Sequence, residues 1–490
     1  MGANGSNTKS APVIVLFRQD LRLADNPALT AAAATGRPVL PLYVLDDTHS
    51  GEWAMGAASR WWLHGSLASL AGRLNTLGAQ LVLRRGPTDL ALGGLVRETN
   101  ASTVYWNRCY EPHAIERDTR IKNKFAEADI DVRSFNANLL FEPWAVKTGA
   151  GGPYRVFSPF WRACMRDHRA PDAPLPAPMR LQCMAQSPAS DALDDWKLRP
   201  CRPDWARGLR EKWTPGEEGA RGRLASFLDE AAPEYKDIRD FPGTRGTSGL
   251  SPHLHFGEIG PRQIYRAALA HAEAQGTSSK SIEKFIAELG WREFAYHLLF
   301  HFPTLPDRNY QEKFDDFPWR EDGKALHAWQ VGRTGYPMVD AGMRELWTTG
   351  WMHNRVRMIV ASFLVKHLMI HWRHGERWFW DTLVDADLAN NAASWQWVAG
   401  SGADAAPYFR IFNPVTQGQK FDPNGTYVRT WVPEIASIPD RYVHCPWQAP
   451  ERILTEAGIA LGETYPRPIV DHSKARARAL AGFEQLKKAS

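Results

Sequence analysis

A chain of 490 residues exceeds the usual size of one hydrophobic core, so two domains are expected, and 44% hydrophobic against 23% charged residues describes a folded, soluble protein. Lys and Arg outnumber Asp and Glu by 59 to 54; a net charge of +5 and an isoelectric point near 8.9 do not establish a polyanionic partner, but permit one if the charge gathers on one face. The five cysteines, Cys109, Cys164, Cys183, Cys201 and Cys445, are odd in number and lack ligand spacing, which argues against a disulfide framework and against a zinc or iron–sulfur centre, so no metal is expected.

The opening MGANGSNTKSAP lacks an apolar signal core, and no apolar run is long enough to span a bilayer, so the expected location is the reducing cytoplasm, away from membranes. Val13 to Phe17 then reads as a buried strand running into the polar loop RQDLRLADNP. Further strands are predicted at Pro38 to Val44, Gln80 to Leu83, Thr103 to Trp106 and, more weakly, Asp131 to Phe135. Helical patterns fall between them at 27–35, 58–77, 88–98 and 112–128. That alternation predicts an α/β domain over 11–141, a doubly wound parallel sheet covered on both faces.

No GxGxxG or GxxxxGKS follows Phe17, so this domain is not indicated as a dinucleotide or nucleoside triphosphate site. Ligands of such sheets sit at the carboxyl ends of strands, which draws attention to Arg18, Asp20 and Arg22, and to Asn107, Arg108, Tyr110 and Glu111. Either group also suits an internal network, and for Asp20 with Arg22 a salt bridge is the expectation. Residues 142–210 are rich in Pro, Gly and Ala and read as a connector lying over the surface between domains.

From 211 to 480 helical periodicity dominates, which predicts an all-helical second domain. In TRGTSGLSPHLHFGEIGP, Thr247, Ser248 and Ser251 occupy a glycine-rich turn before a helix, where hydroxyls and backbone amides suit a phosphate or simply cap the helix. A helix over 281–302 places Glu288, Trp291 and Arg292 on one face, fit for a flat ligand with hydrogen-bonding edges or for a plain ion pair beside a packed indole. In TGWMHNRVRMIVASF, Asn354, Arg357 and Met358 share a face that presents an amide, a cation and a soft apolar group to one ligand. Arg-rich helices are also often solvated faces, so both readings stay open.

Tryptophan is the compositional outlier, with 21 copies, many beside Arg. A helical domain could align Trp319, Trp372 and Trp395, although spacing does not show that it does. Trp397, two residues from Trp395, is expected to point elsewhere.

The motifs FRQDLRLADNPAL, GTSGLSPHLHFGEI, WREF, GYPMVDAGMREL, TGWMHNRVRMIVASFLVKHL, DADLANNAASWQW and PYFRIFNP occur in this order along nearly the whole chain. In that order they resemble the DNA photolyase and cryptochrome family, most closely the class I and class III cyclobutane pyrimidine dimer photolyases. The resemblance implies an antenna domain followed by a helical domain enclosing flavin adenine dinucleotide (FAD). It implies flavin contacts at Tyr235, Thr247, Ser248, Gly249, Leu250 and Ser251, and at Arg292, Asn354, Arg357, Asp385 and Asp387, with Asn391 facing the flavin N5 position. Asn at 391 is the photolyase choice, where plant-type cryptochromes place Asp and animal-type ones Cys.

By the same resemblance, Glu288, Trp291, Asn354, Arg355, Arg357, Met358 and Trp397 form the wall of a pocket for a pyrimidine dimer turned out of UV-damaged DNA, an eversion made cheap by the lesion's poor pairing. Trp395, Trp372 and Trp319 match the family's tryptophan relay, in order from flavin to surface. The implied activity is light-driven dimer repair by a deoxyribodipyrimidine photo-lyase, a carbon–carbon lyase acting as a monomer. Glu288 is the side chain expected to assist directly at a lesion carbonyl, and Arg355, Arg357 and Arg410 are candidates for phosphate contacts.

Asn107 and Glu111 lie where the family holds an antenna, expected to be 5,10-methenyltetrahydrofolate, with 8-hydroxy-5-deazaflavin or an empty site as alternatives. A cryptochrome-like light sensor is the competing function, although the short basic stretch after Pro468 leaves little room for a long signalling extension. Repair of (6-4) photoproducts ranks lower, since a His pair and a four-cysteine pattern are both missing.

Overall fold

Five short strands form one parallel sheet in the computed structural model, which describes residues 11–167, 171–276, 279–404 and 409–489. The leader MGANGSNTKS, three residues of the connector and the first two residues of PYFRIFNP lie outside the described residues. The strands are β1 (Val13–Phe17), β2 (Val39–Leu45), β3 (Val82–Arg85), β4 (Thr103–Asn107) and β5 (Asp131–Phe135), in the order β3-β2-β1-β4-β5. Helices α1 (Pro27–Ala34), α2 (Ala57–Thr76), α3 (Thr88–Thr99) and α4 (Pro112–Ala126) cover the two faces. Every position of β1 and β2 is buried, which is why both read as unbroken apolar runs without alternation. Predicted and observed ends agree within two residues.

The strand order reverses between β1 and β4, where α/β sheets usually admit ligands. Here the loop leaving β1 is occupied by the second domain. Leu21 N–H donates to Phe256 O at 3.1 Å, and Leu23 N–H to Glu217 Oε2 at 2.8 Å. The buried Arg22 guanidinium donates to the carbonyls of Gly257, Asp25 and Ala137. The expected Asp20–Arg22 salt bridge is therefore corrected: Arg22 has Asp25 at 3.8 Å, while Asp20 accepts from Arg18 N–H and from the Asn107 amide. Contact is so close that a Cβ on Gly257, at φ +65°, would lie 1.9 Å from Gln19 O.

The connector is also more than a surface crossing. It contains helix α5 (Phe157–Asp167), and Leu181, Trp196 and Leu198 are buried in the core of the sheet domain. Val39 N–H donates to Gln182 O and Asp191 N–H to Leu83 O, so the proline-rich stretch is stitched along β2 and β3. Its apolar side chains gain more by joining that core than by staying in water.

The helical domain is built from α6 (Pro261–Gln275), α7 (Ser279–His301), α8 (Pro337–Thr349), α9 (Asn354–Ser362), α10 (Trp372–Thr382), α11 (Leu388–Ala399) and α12 (His472–Ala489). Three of these begin at side-chain caps: His353 and His371 accept from Arg355 and Arg373 N–H, and Asp387 accepts from Asn390 N–H. The caps fix where α9, α10 and α11 start, and so which way their inner faces point. Among the described residues, no helix is long and apolar enough to cross a membrane, and no group of His, Cys, Asp or Glu is placed to hold a metal ion.

Candidate functional site

Helices α7, α9 and α11 and the turn before α6 surround a cavity of about 550 Å³, within the range of cofactor pockets. α7 contributes Glu288, Trp291 and Arg292, and α9 contributes Asn354, Arg355, Arg357 and Met358. Asp385, Asp387, Asn391, Trp395 and Trp397 come from α11 and the turn before it, while Tyr235, Ser248, Leu250 and Ser251 close the far side. These expected residues converge. Trp395 and Trp397 both border the cavity, which corrects the expectation that they diverge: Trp395 is buried and Trp397 half-buried at its edge.

Thr247 and Gly249 are not on the wall. Gly249 takes φ +61° and turns the chain, so that Ser248 and Ser251 face the space instead. Trp372 and Trp319 lie behind the cavity. Trp372 is fully buried and donates Nε1–H to Asn309 Oδ1 at 2.9 Å; the His371 ring is 5.5 Å from Trp372 and 4.9 Å from the half-buried Trp319. Trp395 presses on α10 one turn beyond Trp372, where a Cβ on Gly375 would lie 2.1 Å from its ring. Trp395 thus reaches α10, and Trp372 and Trp319 are both packed against His371, although the sequence separates the three widely.

Charge is distributed unevenly around the cavity. Asp387 is buried and accepts from Tyr296 Oη–H at 2.5 Å and from the Asn390 amide, with His255 Nδ1 at 3.5 Å. Burial alone would raise its pKa, but His255, Arg292 and Tyr296 outweigh it and hold the carboxyl well below the usual carboxylate range. Arg357 pairs with Asp385, and Asn391 donates its amide to the backbone carbonyl of Glu376 at 3.0 Å. Arg292 donates to Asn138 O at 2.6 Å and lies over the Tyr296 ring.

At the mouth, Glu288 Oε1 is held by Arg239 and by Lys284, the latter at 3.2 Å. Asp240, next to Arg239, pairs with Arg355 at 2.8 Å. Trp291 is 37% exposed, with Phe157 stacked against it.

Arg239, His255, Lys284, Asn390 and Trp351 were not anticipated on this wall. For Lys284 a signal existed, its i, i+4 spacing to Glu288; Arg239 and His255 arrive from turns whose position depends on packing.

The residues suit a bound flavin nucleotide. An anionic carboxylate, an amide fixed on α11 and two serine hydroxyls face a space lined by both apolar and charged side chains, and the buried His255 Nδ1 on that lining has no closer partner than Asp387 at 3.5 Å. Asn107 and Glu111 lie in the other domain. The Asn107 amide is taken by Asp20, Asn26 and Ala28 N–H, and Glu111 Oε1 by Gln19; Glu111 Oε2 is buried and unpartnered. Arg108 and Tyr110 both bind Glu142.

A parallel-sheet domain docked on a helical domain with this cavity defines a two-domain protein whose second domain is a cofactor holder. The family model described as "FAD binding domain of DNA photolyase" matches residues 285–485, and that described as "DNA photolyase" matches residues 13–179. A deoxyribodipyrimidine photo-lyase of Agrobacterium fabrum is 52% identical over 480 residues, spanning 98% of this chain and 99% of that one. Cryptochrome-1 of Arabidopsis thaliana is 41% identical over 97% of this chain and 71% of that one. The crystal structure of a bacterial class III photolyase from Agrobacterium tumefaciens matches with a TM-score of 0.95 at 52% identity, covering 99% of this chain and all of that one. The chain belongs to the DNA photolyase family and carries its FAD-binding domain.

Proposed function

We propose that this protein is a light-driven DNA repair enzyme that splits cyclobutane pyrimidine dimers. One observation carries the reading: Glu288, Trp291, Asn354 and Trp397 border the same cavity as Asn391, Asp387 and Ser251, so lesion-type and flavin-type contacts share a wall. When bound, fully reduced FAD supplies on illumination the electron that opens the cyclobutane ring, and then takes it back. The protein positions, shields and tunes.

Trp291 and Trp397 pack against the non-planar dimer, whose weak stacking in the duplex lowers the cost of turning it out. Asn354 meets its carbonyl edges with an amide donor, where negative charge develops during opening, while Glu288, paired with Arg239 and Lys284, holds those two cations at the same edge. Asp387 and Asn391 orient the flavin ring system, and the Ser248–Ser251 turn meets its phosphates. Trp395, Trp372 and Trp319 carry electrons inward from the surface to restore the reduced cofactor.

An antenna in the sheet domain, methenyltetrahydrofolate in preference to a deazaflavin, belongs to this reading; the unpartnered Glu111 Oε2 supports it, whereas the Asn107 amide is already committed within the protein. The enzyme is read as a cytoplasmic monomer. Illumination of dimer-containing single- and double-stranded oligonucleotides with the flavin-loaded protein tests the proposal. Recovery of intact thymines is expected, and recovery from neither substrate overturns it in favour of a light sensor.

A further inference from the structure

Trp291 on α7 and Trp397 on α11 are joined through a residue that neither the flavin nor the lesion reading uses. Trp397 donates Nε1–H to the backbone carbonyl of Asp404 at 3.0 Å. The Asp404 carboxylate accepts, through Oδ2, the backbone N–H of Phe157 at 3.2 Å, a charged acceptor at the first residue of α5, where a helix N-terminus favours an anion. Phe157 in turn stacks on Trp291, with ring centroids 3.7 Å apart and planes 11° from parallel. One side chain and its own carbonyl thus span the gap between the two indoles.

Asp404 holds φ +55°, a left-handed conformation that persists in a non-glycine residue when surrounding bonds impose it. Those bonds are present. Gly400 and Gly402 N–H both donate to Gln396 O, and the buried Lys366 donates to Ala399 O at 2.5 Å while lying on the Phe409 ring. Residues 399–402 are therefore anchored, and Asp404, two positions on and bonded to Trp397 through its carbonyl, transmits that anchorage to Phe157.

We infer that Asp404 is a positioning residue for specificity: by tying Trp397 to the Phe157–Trp291 stack it sets the width of the aromatic slot, and so its preference for a dimer over undamaged bases. This rests on the proposed lesion pocket. Contact with two aromatic walls depends on their spacing, because dispersion falls steeply once a gap of 0.5–1 Å opens.

The test uses the full-length, flavin-loaded protein, with dissociation constants measured for a thymine-dimer oligonucleotide and its undamaged counterpart. Asp404→Ala is expected to lose about tenfold of the ratio between them, the scale of one hydrogen bond to a charged group. Asp404→Asn, which keeps an acceptor and tolerates the left-handed backbone, is expected to recover most of the ratio while flavin content stays at the wild-type level. If Asp404→Ala does not fold, Asp404→Gly, which relieves the backbone but lacks the acceptor, must show the same loss. A wild-type ratio in the Ala or Gly variant, alongside a lost ratio in Trp291→Ala, overturns the inference alone. An unchanged ratio in Trp291→Ala overturns the pocket reading itself.

Discussion

Arg357 grips Asp385 through Nη2, at 2.8 and 3.0 Å from the two carboxylate oxygens, while its Nε–H donates to Met352 O at 2.8 Å. The Asp385 side chain is only 3% exposed, so Arg357 is its necessary counter-ion and is not free to serve mainly as a phosphate contact. Arg357→Gln should leave a buried carboxylate unpaired and destabilise the protein by about 3–5 kcal/mol. Thermal unfolding read together with flavin content checks this; an unchanged midpoint would show that Asp385 finds another partner.

Arg355, too, is engaged, with Asp240 and the Phe421 ring, whereas the exposed Arg410 pairs with no carboxylate among the described residues. Arg410 is thus the better phosphate contact of the three arginines considered from sequence. Affinity for DNA should fall as salt rises, and Arg410→Ala should lower the slope of log K against log salt by about 1. Titrations over a range of salt concentrations decide it, and an unaltered slope assigns the phosphates to other cations.

Trp372, the middle member of the proposed relay, is fully buried. Trp372→Phe should slow light-driven reduction of the oxidised flavin but spare repair when a chemical reductant is supplied. It should cost about 1–3 kcal/mol of stability, from the lost volume and the lost bond to Asn309. Transient absorption beside a repair assay in reductant separates the two effects, and equal loss in both refutes the relay.

His353 caps α9 with Nδ1 and is buried; burial pushes its imidazole down from the usual value to about 4. An imidazole that titrates lower folded than unfolded stabilises fully above its unfolded value, near 6.5, and loses that contribution as the pH falls toward 4. His353→Asn retains a capping acceptor without the titration. Its stability relative to wild type should therefore improve by about 2 to 3 kcal/mol between pH 8 and pH 4.5. Denaturant unfolding at the two pH values measures this, and a pH-independent difference would mean that His353 is not held neutral.

Local pattern alone carried a large part of this molecule. Five strands and their covering helices follow from local pattern, most plainly β1, β2 and β4, where burial on both faces of a parallel sheet leaves no alternation to misread. On α7, Glu288, Trp291 and Arg292 share a face at relative positions 0, 3 and 4, and Asn354, Arg357 and Met358 do so on α9; the helical repeat compels both groupings, wherever the helices go.

Where they go is a tertiary matter, and there the sequence fell silent or misled. FRQDLRLADNP left a ligand loop and an internal network both open, with an Asp20–Arg22 salt bridge expected; instead it docks on the turn at Phe256–Gly257, because the backbone groups there find hydrogen bonds across the two domains. The placing of Arg239 on Glu288, the packing of Trp395 on Gly375 and of Trp319 on His371, and the bond from Phe157 to Asp404 join residues tens to hundreds of positions apart. No periodicity encodes such contacts; they exist because packed cores leave each helix a single orientation in which its side chains fit without voids.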